Sequence, residues 1–256
     1  MSAPGPPVRR AREGAVTVLG IDHPPVNAIS GAVAAGLLEG LTAAEADPSC
    51  RALLLTGEGP RFFSAGADVT EFGGGAEALA GAVEVTRRLE ASRLPVVAAV
   101  NGIAYGGGCE LALACDVRVC SEAARFGQPE IKLGIIPGWG GTQRLPRLVG
   151  RGPALEMLLS GEPVGAARAL ELGLVTRVAA PEALRSEALA VASMLAERPP
   201  LAVAAIKRAV RGGLDATLDE GLRLEAAEFA RLLATADAAE GISAFLQKRP
   251  PLWSGR

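Results

Sequence analysis

Short apolar runs alternate along this chain with longer segments of helical periodicity. The runs are rich in valine, isoleucine and leucine, and they lie at 15–21, 52–57, 95–100, 116–121 and 174–179. Between them, segments 30–46, 77–92 and 106–115 repeat apolar residues with the spacing of amphipathic helices. Because short buried runs alternate with helices, the pattern predicts an α/β fold whose strands pair largely in parallel.

After about residue 181 the pattern is helical throughout. Thr217 and Glu220 have the spacing of a capping box at the start of one of these helices. The helices are amphipathic, so their apolar faces need a partner, either the core or another subunit. We expect three parts: a disordered tail at 1–13, a core at 14–195 and a C-terminal helical subdomain for oligomerisation at 196–256.

Composition narrows the class of protein. With 256 residues, 49% of them hydrophobic, the chain can bury a sizeable core. A net charge of −2, from 26 basic and 28 acidic residues, argues against nucleic acid or an anionic membrane as partner. No window approaches the ~18 apolar residues of a membrane span. The N-terminal residues lack the apolar stretch of a secretory signal, so we expect a cytoplasmic protein.

Neither the cysteines nor the histidine indicate a metal site. Cys109, Cys115 and Cys120 lie close together without CxxC spacing or a neighbouring histidine, and Cys50 is isolated. We expect reduced, buried thiols and no bound metal. The single histidine, His23, is expected to have a loop or surface role.

Two glutamates beside glycine-rich loops are the candidate chemistry. Glu110 follows three consecutive glycines at 106–108, and Glu130 lies in the glycine-rich segment 126–150. A third loop, FSAGAD, occupies 63–68. Acid/base groups next to free backbone N–H donors suit reactions beside a carbonyl group. Each feature alone has a plainer explanation: a tight turn for a glycine, or an acid near a helix N-terminus for Glu110.

Four segments in order, 63–68, 102–116, 126–150 and 240–249, resemble the enoyl-CoA hydratase/isomerase (crotonase) family. The resemblance extends from near residue 14 to near residue 255. It implies a crotonase-like spiral of ββα units with a C-terminal helical trimerisation region. It also implies a coenzyme A thioester as substrate and a homotrimer or a dimer of trimers.

The resemblance also assigns roles to residues of the site. The backbone N–H groups of Ala67 and Gly107 would form an oxyanion hole for the thioester oxygen. Glu110, ionised, would activate water for attack at C3, and Glu130, protonated, would deliver a proton to C2. The N–H of Gly138 would help to hold the water.

Contacts with the coenzyme A substrate are implied at further positions: Ala65, Asp68, Val69, Thr70, Phe245 and Lys248. Phe245 and Lys248 match a family segment that reaches a neighbouring subunit's coenzyme site. The chain departs from the family at Thr70, where many relatives carry lysine. It departs again at His23, where another basic residue is frequent.

Because both glutamates are present, the sequence predicts hydration of trans-2-enoyl-CoA to 3-hydroxyacyl-CoA. No metal, nicotinamide or flavin is expected, because the thioester itself accepts the developing charge. Alternatives are isomerisation, a specialised acyl-CoA dehydratase, or a non-catalytic binding relative. Trp139 is either core packing or a wall of the acyl pocket, and glycine-rich 73–77 predicts a mobile start of the following helix.

Overall fold

The computed structural model describes residues 5–256, apart from the side chains of Phe72 and of residues 74–79. Residues 1–4 of the predicted disordered tail lie outside this range, and the predicted mobility of 73–77 stays a prediction.

The described residues form ten β-strands and ten α-helices. The strands are β1 (Val8–Glu13), β2 (Val16–Ile21), β3 (Ala52–Gly57), β4 (Phe62–Ser64), β5 (Val96–Val100), β6 (Ile103–Tyr105), β7 (Val117–Ser121), β8 (Arg125–Gly127), β9 (Val164–Gly165) and β10 (Arg177–Ala179). The helices are α1 (Gly31–Ala46), α2 (Gly75–Ala91), α3 (Gly107–Ala114), α4 (Gly141–Val149), α5 (Arg151–Ser160), α6 (Ala166–Glu171), α7 (Leu184–Ala196), α8 (Pro200–Leu214), α9 (Leu218–Leu233) and α10 (Ala236–Gln247). Short 3-10 helices occupy Val69–Gly74 and Pro129–Leu133.

The strands form two sheets. The larger has the order β1-β2-β3-β5-β7-β10, with only β1 antiparallel to its neighbour within the described chain. The smaller has the order β4-β6-β8-β9. The pairs β3/β4, β5/β6 and β7/β8 each place one strand in each sheet, and a helix follows each pair. This winding confirms the predicted spiral of ββα units.

Both faces of the larger sheet are buried, which explains its continuous apolar runs. Along β3, Leu53 and Leu55 pack into one cluster with α1, α2 and α3, whereas Ala52 and Leu54 pack into a second cluster on the opposite face. Leu184 of α7 belongs to that second cluster. The core therefore consists of two apolar layers separated by the sheet.

The predicted disorder of residues 1–13 is wrong over residues 8–13. They form β1, which pairs antiparallel with β2 along its full length. Its side chains are half-buried or exposed, so the strand carries no apolar signature. Arginines line this outer strand, and two of them pair with Asp22 and Asp47; charged side chains of this kind protect a sheet edge from further pairing.

The run at 174–179 is also shorter as a strand than predicted. Only Arg177–Ala179 pair, as β10, with β7. Leu174 and Val175 are apolar because they are buried in the turn that precedes the strand, where the N–H of Leu174 donates to the carbonyl of Ala169 at 2.9 Å.

The C-terminal region is helical, as predicted, and the Thr217–Glu220 capping box is formed. Large apolar side chains stay exposed on α8 to α10: Ile206, Val210, Leu214, Leu218, Leu222, Phe229, Leu233, Ile242, Phe245 and Leu246. Across the described residues, no single helix has the length and hydropathy of a membrane span; α7 and α8 reach them only together, with a bend of 103° between them.

Candidate active site

A cavity of about 290 Å³ lies at one edge of the smaller sheet. Strands β4, β6 and β8 are neighbours and run parallel, so their carboxyl ends meet at the same edge. The loops that follow them carry the predicted site. Seven of the predicted residues line the cavity: Ala65, Ala67, Val69, Gly107, Glu110, Glu130 and Gly138.

Backbone N–H groups are free at this edge. Ala67 pairs with Ile29 in an isolated parallel β-bridge, whose hydrogen bonds are made by the residues on either side of Ala67. The N–H of Ile29 donates to the carbonyl of Gly66 at 2.8 Å, and the N–H of Asp68 donates to the carbonyl of Ile29 at 3.0 Å. Because successive peptide groups in an extended segment alternate in direction, the N–H of Ala67 faces away from Ile29. No residue in the described part of the chain accepts a hydrogen bond from it.

The N–H of Gly107 is the second free donor. Gly107 is the first residue of α3, where N–H groups lack intrahelical acceptors, and none of the described residues supplies another acceptor. Gly66 has φ +109°, and a Cβ there would lie 3.4 Å from the nitrogen of Gly107 and 2.9 Å from the carbonyl oxygen of Tyr105. Glycine at this position therefore lets the two loops with their free amides approach each other.

Glu110 is held by the loop between the Pro129–Leu133 helix and α4. The N–H groups of Trp139 and Gly141 each donate to its Oε1 at 2.7 Å. Its Oε2 has no hydrogen-bond partner among the described residues, while the side chain is only 1% exposed. Burial raises the pKa of Glu110 to about 7, against the two N–H donors, and the charge of Glu130 adds to the rise.

Glu130 faces Glu110 from the Pro129–Leu133 helix. Its Oε1 would lie 2.8 Å from a Cβ at Gly106, so glycine leaves room for the carboxylate there. Gln128 is fully buried, and its amide nitrogen donates to both Glu130 oxygens at 3.1 and 3.2 Å in the orientation that satisfies both groups. Burial raises the pKa of Glu130 as well. The site thus brings two carboxyl groups, both easier to protonate than usual, opposite two free amides.

Four predicted contact residues lie outside the cavity lining. The carboxylate of Asp68 accepts from the N–H of Thr70 at 3.0 Å and from its hydroxyl at 2.7 Å, which closes a local turn. Phe245 and Lys248 are at the C-terminal end of α10, where the Phe245 ring is 83% exposed. The predicted roles of these four residues in substrate binding stay predictions.

The sequence analysis missed three parts of the site. These are the amide of Gln128 and the N–H groups of Trp139 and Gly141. For Gly141 the signal was the paired glycines 140 and 141, since a Cβ at Gly141 would lie 2.7 Å from the side-chain amide group of Gln128. Trp139 is 5% exposed and belongs to the main core cluster, as one interpretation predicted, and it also lines the cavity. A role of Trp139 as a wall of the acyl pocket stays a prediction.

The cysteines and His23 lie outside the cavity lining. All four cysteines are free and buried, as predicted, and burial raises the pKa of Cys109 far above its usual value. His23 Nδ1 lies 2.7 Å from the carbonyl oxygen of Ala28 in the same loop. Within the described residues, no three His, Cys, Asp or Glu side chains are grouped as metal ligands.

Gly107 and Trp139 are expected to be coupled in stability. A Cβ at Gly107 would collide with the Trp139 ring, so Gly107→Ala should cost about 1–3 kcal/mol of unfolding free energy. Trp139→Ala should cost about 3–5 kcal/mol because it leaves a cavity. In the double variant the glycine substitution should cost much less. Denaturant unfolding measures all three.

Gly152→Ala is the matched control, because Gly152 also lies in the first turn of a helix but has open space around its Cβ position. Equal tolerance of alanine at Gly107 and Gly152 would contradict the close contact.

Known proteins resemble this chain in sequence and in fold. Residues 11–256 match the family model described as Enoyl-CoA hydratase/isomerase. The chain is 46% identical over 252 residues to the 2,3-dehydroadipyl-CoA hydratase of Escherichia coli K12, covering 96% of this chain and 98% of the relative. It is 40% identical to the crotonyl-CoA hydratase of Syntrophomonas wolfei, with 93% and 94% covered. The crystal structure of an enoyl-CoA hydratase from Bacillus anthracis superposes with a TM-score of 0.93 at 36% identity, over 98% of this chain and 100% of that one. The chain belongs to the enoyl-CoA hydratase/isomerase family.

Proposed function

We propose that this protein catalyses the reversible hydration of trans-2-enoyl-CoA thioesters to 3-hydroxyacyl-CoA. One observation carries the proposal: Glu110 and Glu130 line the same cavity as Ala67 and Gly107, whose N–H groups are free within the described chain. Relatives named as enoyl-CoA hydratases support the same reaction.

The two amides are the proposed oxyanion hole. As water adds to C3, negative charge moves through C2 to the thioester oxygen. The N–H groups of Ala67 and Gly107 stabilise this enolate, and one such preorganised donor is typically worth roughly 2.7–4 kcal/mol. Gly107 also begins α3, so the positive end of the helix dipole favours the same charge.

The two glutamates handle the protons. Ionised Glu110 accepts a proton from water through its free Oε2 as the water oxygen bonds to C3. Protonated Glu130 then transfers its proton to C2 of the enolate, which completes the addition of one water. Gly138 lies at the cavity wall, and its N–H positions the water. This division of roles needs one ionised and one protonated carboxyl group, which coupled acids in a shared site provide.

The proposed reaction uses no metal, nicotinamide or flavin, because the thioester carbonyl takes up the charge; coenzyme A enters as part of the substrate. The rest of the cavity wall includes the apolar side chains of Val69, Leu133, Ile135, Ile136 and Trp139. This lining suits a hydrocarbon acyl chain. A panel of enoyl thioesters, followed by loss of the conjugated absorbance, tests both the reaction and the acyl preference.

Assembly is the remaining part of the proposal. A monomer would leave an apolar surface on α9 in water, since Leu218, Leu222 and Phe229 are 78%, 52% and 62% exposed. Contiguous apolar surface of this kind marks an interface between proteins. We propose that it is covered in a homotrimer or a dimer of trimers, in which Phe245 and Lys248 reach a neighbour's coenzyme site.

Glu110→Gln and Glu130→Gln should each lower kcat by roughly 10²–10⁴-fold, because each removes a proton-transfer group while keeping its shape. The loss in the double variant should be less than additive, since both groups act on one reaction. Steady-state hydration kinetics measure kcat, and circular dichroism checks that each variant is folded. Glu122→Gln, at an exposed position, is the control. Near-normal turnover in either site variant would contradict the two-acid mechanism.

The pH profile of kcat/KM should be bell-shaped. Activity needs Glu110 ionised and Glu130 protonated, so it should be lost at low pH, where both groups are protonated, and at high pH, where both are ionised. Burial raises the pKa of Glu110 to about 7 and also raises the pKa of Glu130, so the profile should lie above the usual pH range of carboxyl groups. The two apparent values belong to the coupled pair. A flat profile across the neutral range would be inconsistent with these roles.

Light scattering on the purified protein should give the mass of three or six subunits. Leu222→Glu should shift it to smaller species, because it introduces a charge into the exposed apolar surface of α9. Leu159→Glu alters an apolar side chain of similar exposure on α5, where Leu159 is 68% exposed, and should leave the mass unchanged. A wild-type protein that is monomeric at micromolar concentration would refute the assembly.

A further inference from the structure

The loop that binds Glu110 is itself held from behind. The carbonyl oxygen of Trp139 accepts a hydrogen bond from Arg144 Nη1 at 2.7 Å and a second from the Thr86 hydroxyl at 3.2 Å. Thr86 lies on α2 and Arg144 on α4. Two helices therefore fix the orientation of one peptide group in this loop.

Arg144 is in turn fixed by a carboxylate. Its guanidinium donates to both oxygens of Glu90 on α2, at 3.2 and 2.8 Å, and its side chain is only 17% exposed. The guanidinium also packs over Gly140, where any Cβ would collide with it. A paired, largely buried arginine of this kind has little freedom to move.

We propose that Arg144, clamped by Glu90, is a positioning residue that keeps the N–H groups of Trp139 and Gly141 directed at the Glu110 carboxylate. The inference rests on the proposed function for its kinetic readout. Arg144 reaches the reaction only through the Trp139 carbonyl and through its charge.

Peptide geometry explains why one carbonyl controls two donors. The peptide group is planar, so hydrogen bonds that hold the Trp139 carbonyl restrict rotation of the whole group and thereby restrict φ of Gly140. Gly140 has φ +107°, and without a side chain it could adopt many other conformations. In this arrangement the N–H groups before and after it converge on Glu110 Oε1.

The charge of Arg144 acts in the same direction. The titratable groups around Glu110 are Glu130 across the cavity, Cys109 on α3, and the Arg144–Glu90 pair behind the loop. Arg144 lowers the pKa of Glu110 while burial and Glu130 raise it. Losing the arginine therefore removes both a cation and the alignment of two donors, and each loss favours protonated Glu110.

Removal of Glu90 separates alignment from charge. Glu90→Gln deletes a negative charge beside Arg144, so charge alone would leave the pKa of Glu110 unchanged or lower it. Under the proposal, the loosened arginine releases the Trp139 carbonyl, the two N–H donors lose alignment, and the pKa rises. The two explanations thus predict opposite signs.

The experiment measures the pKa of Glu110 by carbon NMR of protein with labelled glutamate carboxyl groups. The Glu110 signal is identified by its absence from the spectrum of Glu110→Gln. Arg144→Met should raise the pKa of Glu110 by about one unit, and Arg144→Lys and Glu90→Gln should raise it by less. Arg147→Met is the control, because this substitution removes the same charge from the same helix. Arg147 is 50% exposed, and its guanidinium lies 3.8 Å from the carboxylate of Asp215. This substitution should leave the titration unchanged.

Hydration kinetics provide the second readout. In each variant, kcat at pH values below the pKa of Glu110 should fall by the factor that the titrated shift of that variant implies, about tenfold for a shift of one unit, with KM nearly constant. A merely structural arginine would lower the melting temperature without moving the titration or the kcat at these pH values, and that result overturns the proposal. An unchanged or lowered pKa in Glu90→Gln overturns it too, even if Arg144→Met does not fold. Because the titration needs no turnover, wild-type protein that fails to hydrate enoyl thioesters would refute the proposed function separately.

Discussion

The burial of one carboxyl group governs the architecture of this site. An unpaired charge inside a protein is costly, and Glu110 is 1% exposed. Its only hydrogen bonds within the described chain come from two peptide N–H groups of a single loop. The start of α3 and the start of α4 must therefore keep a fixed relative position, since a small shift of either would leave a buried carboxylate without hydrogen-bond donors. Gly140 has φ +107°, and a Cβ at Gly141 would lie 2.7 Å from the Gln128 side-chain amide group, so both positions favour glycine.

The spiral winding of the chain fixes that relative position. Strands β4, β6 and β8 pair side by side, and each is followed at once by a loop of the site. The spacing between the loops is thus the spacing between neighbouring strands. Groups 40 or 60 residues apart in sequence meet because successive turns of the spiral stack, which secures the site by sheet hydrogen bonding rather than by loop contacts alone.

Much of this could be predicted from the sequence, and the exceptions have physical reasons. The long strands of the larger sheet were visible because both faces are buried. Strands β4, β6 and β8 have three residues each, too few to show a period. Strand β1 was hidden by its arginines. At the site, Glu110 and Glu130 were recognisable as side chains beside glycine loops. The donors from Trp139 and Gly141 were not, because a backbone N–H has no residue type, and Gln128 became meaningful only once its contact with Glu130 was known.

The free amides of Ala67 and Gly107 have a consequence for how such a protein changes over time. A peptide N–H survives replacement of its own side chain, unless proline is introduced. Under the proposed mechanism, point mutations can therefore hardly erase charge stabilisation at the thioester oxygen, whereas a single codon change removes either carboxyl group. That mechanism separates backbone donors, which substitutions hardly change, from two replaceable proton-transfer side chains. Under it, new reactions on the same thioester become accessible by substitution at Glu110 or Glu130, without rebuilding the backbone of the site.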